Sequence, residues 1–284
     1  MTVQPQLVPV SDRRNRYARD GYVIADGLFP SSAISGLRAD MARVFSHQLR
    51  AHSLPIHDFS SHGGWRANLV SLFGVNTEAF QAAAHQCQLL PSLQALSTSP
   101  PIQKLLRELG LSEPVLATPP SCYFRSRDLS APGGPQKAPP HQDWRSTQGS
   151  LDACTVWLPL TKIDEKSYPL EVVAGSHRYG LLKSTPHDVA SAVNDPRIRE
   201  DDYTAVLVEP GDAVIFSGFL VHRTSAQGDE RIRLALSLRY NNLAEPSFIE
   251  RGYPSTYKFS AKLDLMVEGF PSEAQVAAFF QGGE

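Results

Sequence analysis

The run Arg231-Ile232-Arg233-Leu234-Ala235-Leu236-Ser237-Leu238-Arg239 alternates along its whole length, and this most constrains what the chain can become. A period of two is the side-chain period of a β-strand. Ile232, Leu234, Leu236 and Leu238 therefore share one face, and Arg231, Arg233, Ala235, Ser237 and Arg239 share the other. The apolar face requires a packed layer against it. An arginine on the inner face of a strand requires an anion, because a buried guanidinium without a counter-charge is strongly unfavourable.

Two further segments supply chemistry to go with that strand. Pro139-Pro140-His141-Gln142-Asp143-Trp144 places an imidazole and a carboxylate two residues apart where a strand should begin. On an extended backbone both point to one face and can converge on one ion, with Gln142 turned away. Alone this is weak, since a chain with nine histidines contains a chance His-x-Asp about half the time. A third ligand is needed. Glu209 to Phe216 reads as a turn feeding a strand, and that strand region ends at His222, eleven residues before Arg233. His141, Asp143 and His222 match the two-histidine, one-carboxylate facial triad of non-haem iron(II) oxygenases, which leaves open positions on the metal. Arg233 then suits a bidentate salt bridge to the distal carboxylate of 2-oxoglutarate. His177, after Gly175-Ser176, is the rival third ligand, but it lacks the strand-end position and the following arginine.

The order His-x-Asp, His, Arg resembles the phytanoyl-CoA dioxygenase family of iron(II)/2-oxoglutarate oxygenases. Other segments share the resemblance over residues 17 to 242: Tyr17-Ala18-Arg19-Asp20-Gly21-Tyr22-Val23-Ile24, Trp157 on the strand after His-x-Asp, and Leu170-Glu171-Val172-Val173-Ala174-Gly175-Ser176-His177. One departure is Ser167-Tyr168-Pro169, where many members have a small glycine-containing turn. The resemblance implies a double-stranded β-helix, a jelly-roll or cupin-like core that is mainly β, with helices packed on one sheet. It implies Fe(II), 2-oxoglutarate and O2, with succinate and CO2 as co-products. It also implies that Trp157 and Thr224 lie near 2-oxoglutarate, and that the strand bearing Tyr123 and Arg125 makes a polar contact to cosubstrate or substrate. Asp143, in place of an alanine or glycine, leaves no site for a halide and favours hydroxylation. The form His-Gln-Asp-Trp-Arg-Ser-x-Gln-Gly-Ser-Leu-Asp looks like members of bacterial surface-polysaccharide pathways. The expected substrate is a small molecule, a sugar derivative or secondary metabolite.

Along the chain, Ser11 to Asp20 reads as a helix, Tyr22 to Ala25 as a strand, and Ser31 or Ser32 as the cap of an amphipathic helix through Leu49. Residues 52 to 75 have no clear period and read as a loop, with Trp65 and Arg66 able to form a lid. Its histidines, His52, His57 and His62, lack a spacing that would gather them on one metal. Thr77 to Leu90 reads as helix up to Pro91, and Ser99 opens another that closes at Gly110. Strands begin near Val115 and continue through Ser121 to Ser126, and proline and glycine between Ala131 and Pro140 exclude helix before His141. Trp144 reads as a wall of the site or as core. Ala153, Thr155 and Trp157 alternate with Cys154, Val156 and Leu158. The polar excursion 183 to 202 carries a short helix near Asp188 to Val193 and a solvated His187. Arg231 and Arg239 remain for an anionic substrate or a structural carboxylate such as Asp152. A capping box at Ser272 and Gln275 announces a last helix.

These readings describe one domain: a helical layer over 1–112, a barrel core over 113–242, and an extension over 243–284. Hydrophobic content of 42% suffices for a sizeable core. A net charge of −2 offers no electrostatic footprint for nucleic acid and no basic run for a membrane surface. Cys87, Cys122 and Cys154 lie apart without disulfide or metal spacing, and the N-terminus lacks a signal pattern, so the expectation is a cytoplasmic, reduced protein. The competing function class is a metal-binding cupin that hydrolyses, isomerises or only binds. Arg233 separates the two, because such a site has no use for a buried guanidinium.

Overall fold

The structure is a computed structural model that describes residues 2–3, 10–129, 138–185 and 190–255. It opens with β1 (Thr2–Val3), α1 (Val10–Asp20) and β2 (Tyr22–Ala25). A helical block follows: α2 (Ser31–Ala51), α3 (His62–Val75), α4 (Thr77–Gln88), α5 (Pro91–Ser97) and α6 (Pro100–Glu108). The remainder holds β3 (Pro114–Leu116), β4 (Ser121–Arg125), the short α7 (Trp144–Thr147), β5 (Cys154–Pro159) and β6 (Leu170–Val173). It continues with β7 (Ser184–Thr185), β8 (Ala192–Val193), β9 (Tyr203–Val206), β10 (Ala213–Ser217), β11 (His222–Thr224), β12 (Arg233–Asn242) and α8 (Pro246–Glu250).

The molecule is mixed α/β, and its sheets are antiparallel apart from the β1–β9 pairing. The larger sheet runs β2-β10-β5-β12-β3, with β4 also on β12, and the smaller runs β1-β9-β6-β11. Register decides which side chains meet, because residues directly opposite in a ladder share a face. On β12, Arg233 opposes Arg125, Ala235 opposes Tyr123, Ser237 opposes Ser121 and Trp157, and Arg239 opposes Thr155. Val214 and Phe216 of β10 oppose Trp157 and Thr155 and complete this inner face. On the smaller sheet, His222 opposes Val172 and Thr224 opposes Leu170, whereas Arg223 opposes Glu171 on the other side. Trp157, Leu170, Val172, Val214, Phe216 and Ala235 pack in one apolar cluster, so these two faces look at each other.

The other face of the larger sheet carries the helices. Val156, Leu158, Leu234, Leu236 and Leu238 pack in one buried cluster with Phe45 of α2, Trp65 and Leu69 of α3, Phe80 of α4 and Ile102 of α6. The alternation in β12 and β5 thus separates an apolar helix-facing side from a polar side. Burial of such leucines is worth roughly 1.5–3 kcal/mol each, which makes this layer the main stabilising contact of the sheet.

Several expectations need correction. Residues 62–75 are helix, not loop. Three glycines and the polar Asn68 dilute the apolar period there, yet Ser61 caps the helix by accepting from Gly64 N at 3.0 Å. Asn68, fully buried, bonds both the N–H and the C=O of His57 and ties down the preceding segment. Trp65 is 2% exposed and packs edge-on against Phe45 and Phe59, so it belongs to the core rather than to a lid. Pro91 does not only stop a helix; it begins α5 at the first turn, where its missing N–H is harmless. Pro30, not a serine, precedes α2. Ala192–Val193 is a strand paired with Ser184–Thr185 instead of helix, while His187, most of the Ala131 to Pro140 segment and the helix from Ser272 lie outside the described residues. No helix among the described residues is long and apolar enough to cross a membrane, and the three cysteines are free thiols.

If Trp65 is core, Trp65→Ala removes about 3–5 kcal/mol of stability, read as a shifted urea midpoint. A lid residue would instead lower turnover while leaving the midpoint in place.

Candidate metal centre

His141 and His222 face each other across the two parts of the molecule. Each donates its N–H to the other's carbonyl, at 2.9 and 3.1 Å, in an isolated antiparallel bridge. Their rings come to 4.1 Å between centroids. His141 Nδ1 lies 2.7 Å from Pro139 O, and His222 Nδ1 lies 2.9 Å from Leu220 O. A ring nitrogen this close to a carbonyl must carry the proton, which leaves Nε2 of each ring with its lone pair available to a metal. Burial, then the neighbouring His141, pushes His222 down to about 3, so its ring is neutral.

Asp143 joins them, though not by the expected extended geometry. Its backbone is helical at φ −61, ψ −33, and the chain enters α7 directly after it. The carboxylate still converges, because the strand-like bridge at His141 gives way to a helical turn that swings Asp143 beside it. One ligand atom from each of His141, Asp143 and His222 lies within 4.8 Å of the others, a cluster that could hold a metal ion. Gln142 explains how the turn is held: its Nε2 donates to Gly180 O and Phe219 O, and its Oε1 accepts from Leu182 N. Burial alone would raise the Asp143 carboxyl, but Arg239 foremost, then the two histidines, hold it well below the usual carboxylate range. Its Oδ2 accepts from Thr155 Oγ1 at 2.7 Å and its Oδ1 from Arg239 Nη2 at 3.1 Å. Thr155 was legible as an inward-facing residue, but nothing in the sequence connects it to Asp143.

A cavity of about 230 Å³ opens between the sheets beside this cluster, lined by Tyr123, Arg125, Trp157, Thr224, Arg233 and Arg239 as well as the three ligand candidates. At its far wall Arg233 is 4% exposed. Its Nη1 donates to Tyr168 O, its guanidinium sits 5.7 Å from the Trp157 ring centre, and its Nε is buried without a hydrogen-bond partner among the described residues. No carboxylate among the described residues pairs with it. Burial, followed by the charge of Arg125, pushes its pKa down to about 9. Tyr168 adopts a left-handed conformation at φ 52. A Cβ on Gly228 would lie 2.2 Å from the Tyr168 ring, so that glycine lets the ring lie flat where the sequence departs from the usual small turn.

Other candidates lie elsewhere. Trp144 is not among the cavity-lining side chains; it stacks on Phe219 at 5.1 Å and donates its indole N–H to Ser150 O. Arg231 precedes β12 and pairs with Asp164 and Asp229, not with Asp152, whose Oδ2 instead accepts from Asn242. Arg239 meets Asp143 rather than an open anion site. His177 lies in a short turn with Nε2 3.2 Å from Ala18 O.

A family model described as Phytanoyl-CoA dioxygenase (PhyH) matches residues 17–235. The chain belongs to this family. Its members are 2-oxoglutarate-dependent non-haem iron enzymes. A probable phytanoyl-CoA dioxygenase of Caenorhabditis elegans is 34% identical over 98 residues, which is 31% of this chain and only 30% of that relative's length. Solved structures share the fold. The epimerase SnoN in complex with Fe3+, alpha ketoglutarate and nogalamycin RO is 19% identical with a TM-score of 0.59, over 91% of this chain and 96% of that one. AviO1 of Streptomyces viridochromogenes Tue57 is 20% identical with a TM-score of 0.56, over 85% and 99%. EctD of S. alaskensis, solved with 2-oxoglutarate and 5-hydroxyectoine, is 16% identical with a TM-score of 0.54, over 83% and 77%.

Metal added at a hundred times its Kd should stabilise the folded chain by about 2.7 kcal/mol, seen as a higher denaturation midpoint with Mn(II) or Co(II). In His222→Ala that increment should vanish.

Proposed function

We propose that this chain is an Fe(II)/2-oxoglutarate-dependent dioxygenase that hydroxylates an unactivated C–H bond of a small-molecule metabolite. The observation that carries the reading is the presence, in one cavity, of a three-ligand cluster and a buried guanidinium that no carboxylate among the described residues pairs. Family membership supports it, and so do the iron and cosubstrate recorded in related folds.

His141, Asp143 and His222 would hold the metal, and the donor set of two neutral imidazoles and one carboxylate suits Fe(II) with positions left open. Arg233 would hold the distal carboxylate of 2-oxoglutarate, with Thr224, Trp157 and Arg125 beside it. When bound, iron and 2-oxoglutarate supply an oxidation by O2 that releases succinate and CO2. The chain's own contribution is placement and exclusion of water. Tyr168 O holds one guanidinium nitrogen and leaves Nε for the anion. Trp157 covers the guanidinium, and Phe216 packs 4.5 Å from the His222 ring, which keeps that side of the ligand dry. Two sheets facing each other across this cavity support a double-stranded β-helix within one oxygenase domain.

A non-oxidative metal cupin explains the ligands but gives Arg233 no anion to meet. Related folds include an epimerase and a carbocyclase, so the product, not only turnover, has to be measured. Sugar derivatives and secondary metabolites are the substrate classes to screen, scoring succinate release and an added oxygen mass.

Anaerobic titration with Fe(II) and then 2-oxoglutarate tests the reading. Wild type should develop a new visible band on cosubstrate addition. Arg233→Ala should need about 30-fold more 2-oxoglutarate or beyond, the equivalent of about 2 kcal/mol for an unpaired buried charge contact. A protein that binds one metal but shows no such band would overturn it in favour of the non-oxidative cupin.

A further inference from the structure

Asp143 is gripped from both sides by residues that the proposed chemistry does not call for. Thr155 and Arg239 are directly opposed on β5 and β12, and each reaches one carboxylate oxygen. Oδ1, which takes the Arg239 hydrogen bond, is also the oxygen 3.7 Å from His141 Nε2, so it faces the histidines while Oδ2 is turned to Thr155. The Arg239 side chain is 14% exposed, and Tyr123 bonds it as well. Its neighbours on the same face, Ala235 and Ser237, are small. Sheet pairing makes no demand for an arginine here.

We propose that Arg239 is a positioning residue that, together with Thr155, fixes Asp143 as a one-oxygen metal ligand. A carboxylate free to rotate can give both oxygens to one cation, which would fill a position that the cosubstrate requires. Here the second oxygen is tied to a β-branched hydroxyl whose rotamers are restricted. The first is oriented by a planar guanidinium that Tyr123 holds in turn. Partners of this kind set ligand orientation and affinity around a metal. The inference rests on the proposed metal centre and adds a role that no motif in the sequence assigns.

The test uses the full chain and Co(II), whose visible spectrum reports coordination, with calorimetry for affinity and a thermal melt of each metal-free protein. Arg239→Gln should bind Co(II) about 10- to 100-fold more weakly than wild type and show an altered spectrum. Arg239→Lys, which keeps the charge and one donor, should recover part of both. Thr155→Val should change the spectrum in the same sense and the affinity less. On the Co(II)-loaded proteins, 2-oxoglutarate should bind Arg239→Gln more weakly than wild type, although Arg233 is intact. Wild-type affinity and spectrum in folded Arg239→Gln and Thr155→Val would overturn the inference alone. If Arg239→Gln does not fold, an unchanged Thr155→Val is sufficient to overturn it. A wild type that binds no Co(II) would remove the metal centre and this inference together.

Discussion

Burying a positive charge inside a sheet is expensive, and β12 buries two. Arg239 is compensated by Asp143 within the chain, and burial, which would lower its pKa, is outweighed by Asp143 together with Tyr123. Arg233 has the Tyr168 carbonyl at its Nη1 and, among the described residues, no carboxylate. The same strand is leucine on its other face and carries the helical layer. A single alternating segment therefore anchors the core and prepares the site, and the two functions cannot be separated by moving the register, since a one-residue slip exchanges the faces.

The parts of the molecule that follow a strict period were legible in the sequence. Leu234, Leu236 and Leu238 pack on the helices as the alternation requires, and so do Val156 and Leu158. The inward positions Thr155, Trp157, Arg233 and Arg239 follow from the same pattern. His141, Asp143 and His222 meet, but the local reason differs: within the His-x-Asp pair only His141 is strand-like, and Asp143 reaches the cluster through a helical turn. Spacing could suggest convergence without describing the backbone that produces it.

What stayed hidden depends on contacts between distant segments. The helix at 62–75 carries too many glycines and a buried asparagine to show a period, and its role is fixed by a bond to His57. A loop there would leave Trp65 free to act in a lid, whereas the helix turns it into the core. Trp144 follows Asp143 in sequence yet turns to Phe219, because the helical turn rotates it out of the cavity. The grip of Thr155 on one oxygen of Asp143, and the flat packing of Tyr168 on Gly228, exist only once strands far apart in the chain are in place.

Gln142 assigns different jobs to different surfaces. Its amide is fastened to the 180–182 and 219 segments, outside the cavity, so the His-x-Asp turn takes its shape from the rear of the site. The wall positions Ser121 and Ser237 are on the opposite strands and carry none of the Gln142 hydrogen bonds, whereas Tyr123 on the same face bonds Arg239. The Ser121 and Ser237 side chains make no hydrogen bond to the His-x-Asp turn among the described residues. A chain of this design can reshape one wall of its cavity separately from the turn that carries His141 and Asp143.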